Sequence, residues 1–298
     1  MPKIFCDSGA FSAHHNNTTV NIQDYINFIK KHDKEIETYA NLDSIGSAEK
    51  TWINQKIMED VGLKPIPVYH LGEPELYLKK CLEYPYFAVG GIASKLTSPG
   101  GLGRNLDQLF MKICPKSNDF YPTHKIHGFG IATPQLLIKY PWYSVDTTSW
   151  AQYGRFGIIL IPAIKYGKIK YDLSPRTLTI STRSKAVGDA EHFIQLNETQ
   201  QEPIIEYCEE KGCPVGKSFL IEVGPGYVLK ENEKWTDRKL KNRIERIEEI
   251  GLCCDGEMRD KINLEYFLDL EKNQRKYPFQ FFLKEKQLKD KDGNSLFD

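Results

Sequence analysis

The sequence predicts an α/β protein built as a (β/α)8 barrel of the TIM type, with a helical, charged C-terminal extension. Short β-prone runs alternate with helical patterns through the first half of the chain, which is typical of βα units around a parallel sheet. Seven strands fit before residue 162. The length of 298 residues suits one barrel-sized domain and a smaller part.

The first half of the chain supplies the strands and helices of the predicted barrel. The strand candidates are 3–6, 37–42, 66–70, 86–89, 125–129, 143–145 and 157–161, with either 178–182 or 218–222 as the eighth. The helix candidates between them are 22–32 behind an Asn21 cap, 48–61, 73–83, 106–113 and 134–140, the last with Thr133 as cap and Pro134 at the first helical position. The competing doubly wound sheet requires a glycine-rich turn after the first strand, and DSGAF does not have that pattern.

Beyond residue 185 the pattern changes to longer polar helices. The candidates are 191–196, 203–211, 237–250 and 261–271, followed by a charged tail over 284–298. We therefore expect a catalytic barrel over 1–225 and a helical part over 226–298 that packs on the barrel or completes it.

Composition restricts the partners and the compartment. Forty Lys and Arg residues balance forty Asp and Glu residues, so any nucleic acid must be held by a local basic patch. The longest apolar run, 156–164, is interrupted by Gly157 and Pro162 and is too short to span a membrane. The N-terminus has no secretory pattern, and seven cysteines do not suggest a complete disulfide framework. We expect a cytoplasmic protein without a membrane partner.

Polar and glycine motifs follow six of the predicted strands. They are CDSGAF at 6–11, NLDS at 41–44, YHLGE at 69–73, VGGIAS at 89–94, HGFGIATP at 127–134 and SVDTTSW at 144–150. Because the carboxyl ends of barrel strands meet at one face, Asp7, Asp43 and Asp146 are expected to converge there. Each aspartate alone could instead cap a helix or a turn.

Convergent carboxylates suit chemistry at an anomeric carbon. One carboxylate acts there as a nucleophile or charge stabiliser, and another acts as a general acid or base. The glycines of the pairs Gly90–Gly91 and Gly128/Gly130 would let the backbone approach a flat ligand closely, although strand-end glycines also serve tight turns. The pattern indicates a site for a sugar and a planar base.

In order and spacing, these motifs resemble the tRNA-guanine transglycosylase family, especially its shorter, phage-associated relatives that insert 7-deazaguanines into DNA. The similarity covers about residues 3–160. It implies exchange of guanine in a polynucleotide for a free 7-deazaguanine base of the preQ0 or preQ1 kind, through a covalent aspartyl-glycosyl intermediate. DNA is favoured as the substrate and tRNA is the alternative. A phage protein of this kind would work in the host cytoplasm.

The resemblance also implies roles for individual residues. Asp146 matches the nucleophile, and Asp7 matches the residue of proton transfer. Asp43 matches the carboxylate that reads the N–H edge of the base, and His70 stands where the family usually has glutamine. The remaining residues of the implied base site are Ser8, Gly9, Phe11, Gly90, Gly91, Ile92, Phe129 and Gly130. The implied reaction needs no redox cofactor and no nucleoside triphosphate.

Two basic stretches are candidates for contact with a polynucleotide. Residues 164–185 contain Lys165, Lys168, Lys170 and Arg176, with tyrosines between them. The predicted helix 237–250 would place Arg243 and Arg246 on one face, which is also typical of a solvated helix. Arg155 either touches a phosphate beside the target nucleotide or forms a salt bridge at the barrel rim.

The cysteines do not follow the family's zinc pattern. The tRNA-acting members carry a C-x-C-x-x-C run with a later histidine, and this sequence lacks it. Cys208, Cys213, Cys253 and Cys254 form an irregular set and are weak metal candidates. We expect no cofactor and, for the same reason, favour DNA over tRNA.

Two other functions fit the same residues. In a nucleoside or glycoside hydrolase, water would replace the incoming base. A non-catalytic subunit that binds nucleic acid is the alternative from another class, and the presence of both Asp7 and Asp146 argues against it.

Overall fold

A computed structural model of the chain describes residues 4–92, 99–131, 133–184 and 191–283. The protein is mixed α/β and divides into two compact units, Met1–Asp146 with Lys276–Asp298, and Thr147–Arg275. Within the described ranges, no helix combines the length and the apolar character needed to cross a membrane.

The first unit contains a series of parallel strands in chain order. They are β1 (Ile4–Cys6), β2 (Ile36–Tyr39), β3 (Val68–His70), β4 (Tyr86–Gly90), β5 (Lys125–Gly128) and β6 (Ser144–Val145). β1 pairs with β2, and β3 to β6 pair successively, all in parallel. A parallel bridge between Ala40 and Ile66 connects the two groups. The first six predicted strands are therefore confirmed, with bounds that differ by one to three residues.

Helices separate these strands, as βα units require. They are α1 (Ala10–His15), α2 (Ile22–Lys31), α3 (Ala48–Asp60), α4 (Glu75–Cys81), α5 (Pro99–Ile113) and α6 (Pro134–Lys139). The Asn21 side chain caps α2 by accepting hydrogen bonds from the N–H groups of Gln23 and Asp24. Thr133 stands at the cap position of α6, but its side chain makes no capping hydrogen bond.

The sheet of the first unit is strongly curved. The rings of Phe5 on β1 and His127 on β5 stack with centroids 4.0 Å apart and planes 12° apart. In a flat sheet, four strand spacings would separate these two strands by about 19 Å. The sheet must therefore curl until side chains of its inner face meet. Closure into an eight-stranded barrel stays a prediction.

The second unit combines short sheets with three helices in its described part. Its strands are β7 (Ile158–Ile161), β8 (Ala163–Lys165), β9 (Lys168–Lys170), β10 (Arg176–Thr179), β11 (Glu191–His192), β12 (Lys217–Glu222), β13 (Glu233–Trp235) and β14 (Arg243–Glu249). The helices are α7 (Ser149–Arg155), α8 (Glu198–Glu210) and α9 (Gly256–Asn273). The buried Asn263 side chain accepts from Leu160 N–H and donates to the carbonyls of Trp150 and Ile158, which ties α9 to β7 and α7.

Neither candidate for the eighth strand extends the parallel series β1 to β6. The first candidate overlaps β10 at Leu178 and Thr179, and β10 pairs antiparallel with β7 and in parallel with β11. The second lies in β12, which pairs antiparallel with β14. A parallel neighbour needs a crossover, usually a helix. Between β7 and β10 the chain forms only the β8–β9 hairpin, so β10 returns in the antiparallel direction.

The predicted helix 237–250 is wrong, because Arg243–Glu249 forms β14 between β12 and β13. Its Arg and Glu residues favour a helix when isolated, but strand pairing on both edges overrides that preference. The predicted helix 191–196 is also wrong: the chain there forms β11 and a 3₁₀ turn over Phe193–Gln195. Helices near 203–211 and 261–271 are confirmed within α8 and α9.

The C-terminal part over 226–298 is therefore not wholly helical. One sheet, β12–β14–β13, includes strands on both sides of residue 225, whereas the compact units divide between Asp146 and Thr147. The charged tail over 284–298 lies outside the described residues.

Candidate active site

Asp7 and Asp43 are linked through Ser8 at the ends of β1 and β2. The Ser8 N–H donates to Asp7 Oδ1 over 2.7 Å, and the Ser8 hydroxyl donates to Asp43 Oδ1 over 2.7 Å. Ser8 is buried, and Gly9 has φ +72°, a left-handed conformation that lets the chain turn at once into α1. The sequence motif after β1 thus fixes two carboxylates through one serine.

His70 lies between two carboxylates. Its Nε2 is 3.0 Å from Asp43 Oδ2, and its Nδ1 is 3.1 Å from Glu73 Oε1. The second Glu73 oxygen accepts from the His70 backbone N–H over 3.0 Å. Burial lowers the imidazole pKa, but the two carboxylates outweigh it and raise the pKa of His70 to about 9. His70 is therefore an imidazolium at neutral pH and donates from both ring nitrogens.

Gly90 makes room for the His70 ring. The two residues are direct partners in the β3–β4 register. A Cβ at Gly90 would lie 2.6 Å from His70 Cδ2, so a larger residue would displace the imidazole. Gly91 has φ +74° and closes the turn after β4. Packing and turn geometry therefore account for both glycines, and their predicted contact with the base carbonyl stays a prediction.

Asp146 follows β6 and is bound through one of its oxygens. Oδ1 accepts from Gly130 N–H over 2.8 Å and lies 3.5 Å from His127 Nε2. Partial desolvation raises the pKa of Asp146, but the His127 imidazole and the Gly130 N–H outweigh it, and the net pKa lies below the usual value. The side chain is 52% exposed, so this ionised carboxylate is accessible to a ligand.

The pKa of Asp7 is shifted in the opposite direction. Desolvation by the surrounding protein is the largest cause that raises the pKa of Asp7. The negative charges of Asp43 and Asp146 raise it further. The N–H groups of Ser8 and Gly9 oppose this shift without cancelling it. The pKa values of two carboxyl groups of one site are thus shifted in opposite directions, which is the pattern of an acid and a nucleophile.

The first unit brings most of the predicted site residues together. Hydrogen bonds connect Ser8 with Asp7 and Asp43, Asp43 with His70, and Gly130 with Asp146. Phe129 lies edge-on to His127 at 4.7 Å, and Ile92 is buried. Phe11 lies apart from this network on α1, 57% exposed, with its nearest ring partner His15 at 6.4 Å.

Sequence reasoning missed His127, Glu73 and Phe5. The first two stand in motifs already singled out, HGFGIATP and YHLGE. Glu73 lies three residues after His70, a spacing that lets a side chain reach back across a turn. The stacking of Phe5 on His127 depends on the curvature of the sheet and has no local signal.

In the second unit, β8 and β9 form a basic hairpin. The register pairs Lys165 with Lys168 and Ala163 with Lys170, so all three lysines lie on one face, opposite Ile164 and Ile169. Tyr166 and Gly167 form the turn with φ of +52° and +69°, and Tyr166 is fully exposed. The structure therefore groups the three predicted lysines and places an aromatic ring beside them.

The predicted arginines are dispersed or already paired. Arg176 forms an ion pair with Glu191. Arg246 binds Glu233 with Nε at 3.0 Å from Oε1. Because Arg243 and Arg246 are three residues apart on a strand, they point to opposite faces, which corrects the prediction of one shared helix face. Arg155 is exposed at the end of α7.

Three of the four cysteine candidates are buried, and the fourth, Cys254, is partly exposed. Cys208 and Cys213 are buried in an apolar cluster of the second unit, and burial raises the pKa of the Cys208 thiol to about 12. Burial also raises the pKa of Cys253 to about 11. Over the described part of the chain, no group of three or more His, Cys, Asp or Glu side chains is placed to hold a metal ion.

No family model, curated protein or solved structure matches this chain. The resemblance to the transglycosylases therefore depends on its own motifs. The hydrogen bonds and charges at the ends of β1, β2, β3 and β6 carry the argument for function.

Proposed function

We propose that the protein is a base-exchanging guanine transglycosylase that acts on a polynucleotide, with DNA favoured over tRNA. The observation that carries the proposal is the opposite pKa shift of Asp7 and Asp146. Exchange at C1′ requires an ionised nucleophile and a protonated acid at the same time, and the directions of the two shifts favour this combination. The same shifts argue against a subunit that only binds nucleic acid.

The first displacement forms the covalent intermediate. An Asp146 oxygen attacks C1′ of the target nucleotide, and the bond from C1′ to the base nitrogen breaks with its electron pair going to the base. Asp7 gives its proton to the departing base, which leaves as neutral guanine. The sugar remains in the chain as an ester of Asp146, and Asp7 is now ionised.

The second displacement reverses these roles. A free 7-deazaguanine gives its ring N–H proton to the Asp7 carboxylate while its nitrogen attacks C1′. The ester bond breaks, and Asp146 regains its charge. Two inversions retain the original stereochemistry, the phosphodiester chain stays intact, and no redox step occurs.

Recognition of the base would centre on Asp43. Its Oδ1 accepts from Ser8 and its Oδ2 interacts with His70, which fixes the plane of the carboxylate. A carboxylate has about four acceptor positions, so the remaining lone pairs can accept N–H groups of a guanine edge. Closure of the curved sheet into a full (β/α)8 barrel belongs to the same proposal, and the stacking of Phe5 on His127 supports it.

Exchange of labelled guanine tests the proposal. The full chain is incubated with labelled guanine and either duplex DNA or tRNA, and label in the polynucleotide is counted. We expect incorporation into DNA that is lost in Asp146→Asn and kept in the control Lys30→Ala/Lys31→Ala on the exposed face of α2. Incorporation into neither polymer would overturn the proposal, and incorporation confined to tRNA would overturn the preference for DNA.

A hydrolase is the second candidate, favoured by the 52% exposure of the Asp146 side chain, which gives water access to an ester formed there. The two functions differ in what resolves the intermediate. A hydrolase releases guanine in buffer alone, whereas a transglycosylase turns over only when a free base is added.

A further inference from the structure

We propose that His127 is a positioning residue that fixes Asp146 through Oδ1 and leaves Oδ2 to attack the anomeric carbon. The attack by Asp146 Oδ2 rests on the proposed function. The hydrogen-bonded chain of side chains that ends at His127 is independent of that function. That chain runs from Tyr86 on β4 through Ser144 on β6 to His127 on β5. These residues meet because β4, β5 and β6 are neighbours, and His127 and Ser144 are direct register partners.

The direction of each hydrogen bond follows from proton count. Tyr86 Oη is 2.7 Å from Ser144 Oγ, which is 2.8 Å from His127 Nδ1. An ionised carboxylate only accepts, so His127 Nε2 must carry the proton that faces Asp146. In a neutral imidazole Nδ1 is then the acceptor, so Ser144 donates to it and Tyr86 donates to Ser144. The two hydroxyls thus select the tautomer that can donate to Asp146.

The imidazole has little freedom to turn away. His127 is 2% exposed, one ring face stacks on Phe5 at 4.0 Å, and Phe129 packs edge-on at 4.7 Å. Its Nε2 is buried without a hydrogen bond among the described residues, and Asp146 Oδ1 is the acceptor it faces at 3.5 Å. A buried N–H without a partner is unfavourable, and a small approach of the carboxylate completes this bond. Contacts of this kind often tighten only when substrate is bound.

Two donors therefore converge on the same oxygen, since Gly130 N–H also donates to Asp146 Oδ1. Oδ2 receives no hydrogen bond from another described residue and is left for the attack on C1′. When the ester forms, Oδ1 becomes its carbonyl oxygen. When the ester breaks, negative charge returns to the carboxylate, and both donors stabilise it. His127 would thus assist both displacements without touching the sugar.

The titratable groups that face Asp146 in the first unit are His127 from β5 and Asp7 from the end of β1. The charge of Asp7 opposes ionisation of Asp146, and the imidazole N–H favours it. Removal of the imidazole donor should therefore raise the pKa of Asp146 and favour the form that cannot attack.

Three variants test whether the His127 N–H lowers the pKa of Asp146. His127→Leu removes the donor, and His127→Gln keeps an N–H near the position of Nε2. Ser144→Ala removes the hydroxyl that selects the tautomer. His32→Leu, a surface histidine on the C-terminal side of α2, is the matched control. Thermal melting of each variant shows whether it folds.

NMR of the full chain reads the result without any activity. We expect the His127 ring of the wild type to carry its proton on Nε2. We expect the Asp146 carboxyl to titrate about one pH unit higher in His127→Leu and close to wild type in His127→Gln and His32→Leu. A proton on Nδ1, or an Asp146 titration unchanged in His127→Leu, would overturn the proposal.

Kinetics separates this inference from the function itself. If exchange occurs, His127→Leu should lower kcat on the order of 10²-fold with little change in KM, and His127→Gln should restore most of the loss. A wild type with the expected tautomer and titration but no exchange would refute the proposed function alone. Normal exchange in His127→Leu would refute the positioning role alone.

Discussion

The negative charge of Asp146 raises the pKa of Asp7, whereas the pKa of Asp146 itself lies below the usual value for an aspartate. The difference arises from their neighbours. Desolvation and the charges of Asp43 and Asp146 raise the pKa of Asp7. Asp146 accepts a hydrogen bond from Gly130 N–H and faces the His127 imidazole at 3.5 Å, and these two groups lower its pKa. Over the pH range between the two pKa values, the pair holds one proton, and Asp7 carries it.

This pair predicts a bell-shaped pH profile for kcat/KM. Activity falls as pH drops through the pKa of Asp146, because the nucleophile must be ionised. It falls again as pH rises through the pKa of Asp7, because the acid must be protonated. Asp7→Asn should leave a low rate without the alkaline limb. An alkaline limb that persists unchanged in Asp7→Asn would assign the acid to another group.

His70 predicts a pH dependence of stability. Its pKa is about 9 in the folded protein and about 6.5 in the unfolded chain, so its stabilisation is complete below pH 6.5 and is lost as pH rises through 9. His70→Gln should lower the free energy of unfolding by about 3 kcal/mol more at pH 6 than at pH 10. Urea titrations of both proteins measure this, with His32→Gln as control. An equal loss at both pH values would show that His70 is not charged.

Gly90 predicts a steric effect on the same cluster. Gly90→Ala brings a Cβ to 2.6 Å from His70 Cδ2, so the imidazole must leave Asp43 or the strands must separate. We expect a loss of about 1–3 kcal/mol in unfolding free energy. Gly103→Ala in α5 is the control, since its Cβ meets nothing within 4 Å and alanine favours a helix. Equal stability of Gly90→Ala and wild type would refute the packing described for His70.

The β8–β9 hairpin predicts how binding responds to salt. Lys165→Ala/Lys168→Ala should flatten the log–log slope of DNA affinity against salt concentration by about 1–2 units. Each lost contact between a lysine and a phosphate means that one counterion fewer is released on binding. Lys30→Ala/Lys31→Ala removes the same charge elsewhere and should leave the slope unchanged. Fluorescence anisotropy with labelled DNA at several salt concentrations measures both. An equal slope in the two double variants would move the DNA surface away from the hairpin.

A charge reversal in this hairpin should separate binding from stability. Lys165 and Lys168 lie directly opposite each other, and like charges in that position are unfavourable. Lys168→Glu creates an attractive pair, so stability should rise by about 0.2–1 kcal/mol while DNA binding weakens. Thermal unfolding and anisotropy of this variant measure the two effects. Loss of both would indicate that the lysines serve the fold.

Local patterns identified most elements of the first unit, although not α1, and fewer of the second, where β7, α8 and α9 were predicted. The alternation of apolar runs with capped helices identified β1 to β6, because each βα unit is encoded by contiguous residues. β14 was mistaken for a helix because its partners β12 and β13 lie elsewhere in the sequence. Its buried Glu245 accepts from Arg183 and Ser218, which no local pattern reveals.

In the candidate site, too, local patterns identified some residues, whereas contacts between distant residues were not predicted. The aspartates were identifiable because they end strands, and ends of parallel strands share one edge. The partners that set their protonation were not, since contacts such as that between Asp146 and His127 depend on register and curvature. The prediction of one arginine face failed with the helix that would have carried it.

The most direct test of the central claim is to map the covalent adduct. The full chain is mixed with a guanine-containing DNA oligonucleotide, the reaction is stopped by denaturation, and the protein is digested for mass spectrometry. We predict that the sugar is attached to the peptide containing Asp146, that Asp146→Asn forms no adduct, and that adding 7-deazaguanine before denaturation removes it. An adduct on another residue, or an equal yield of adduct in Asp146→Asn, would contradict the account.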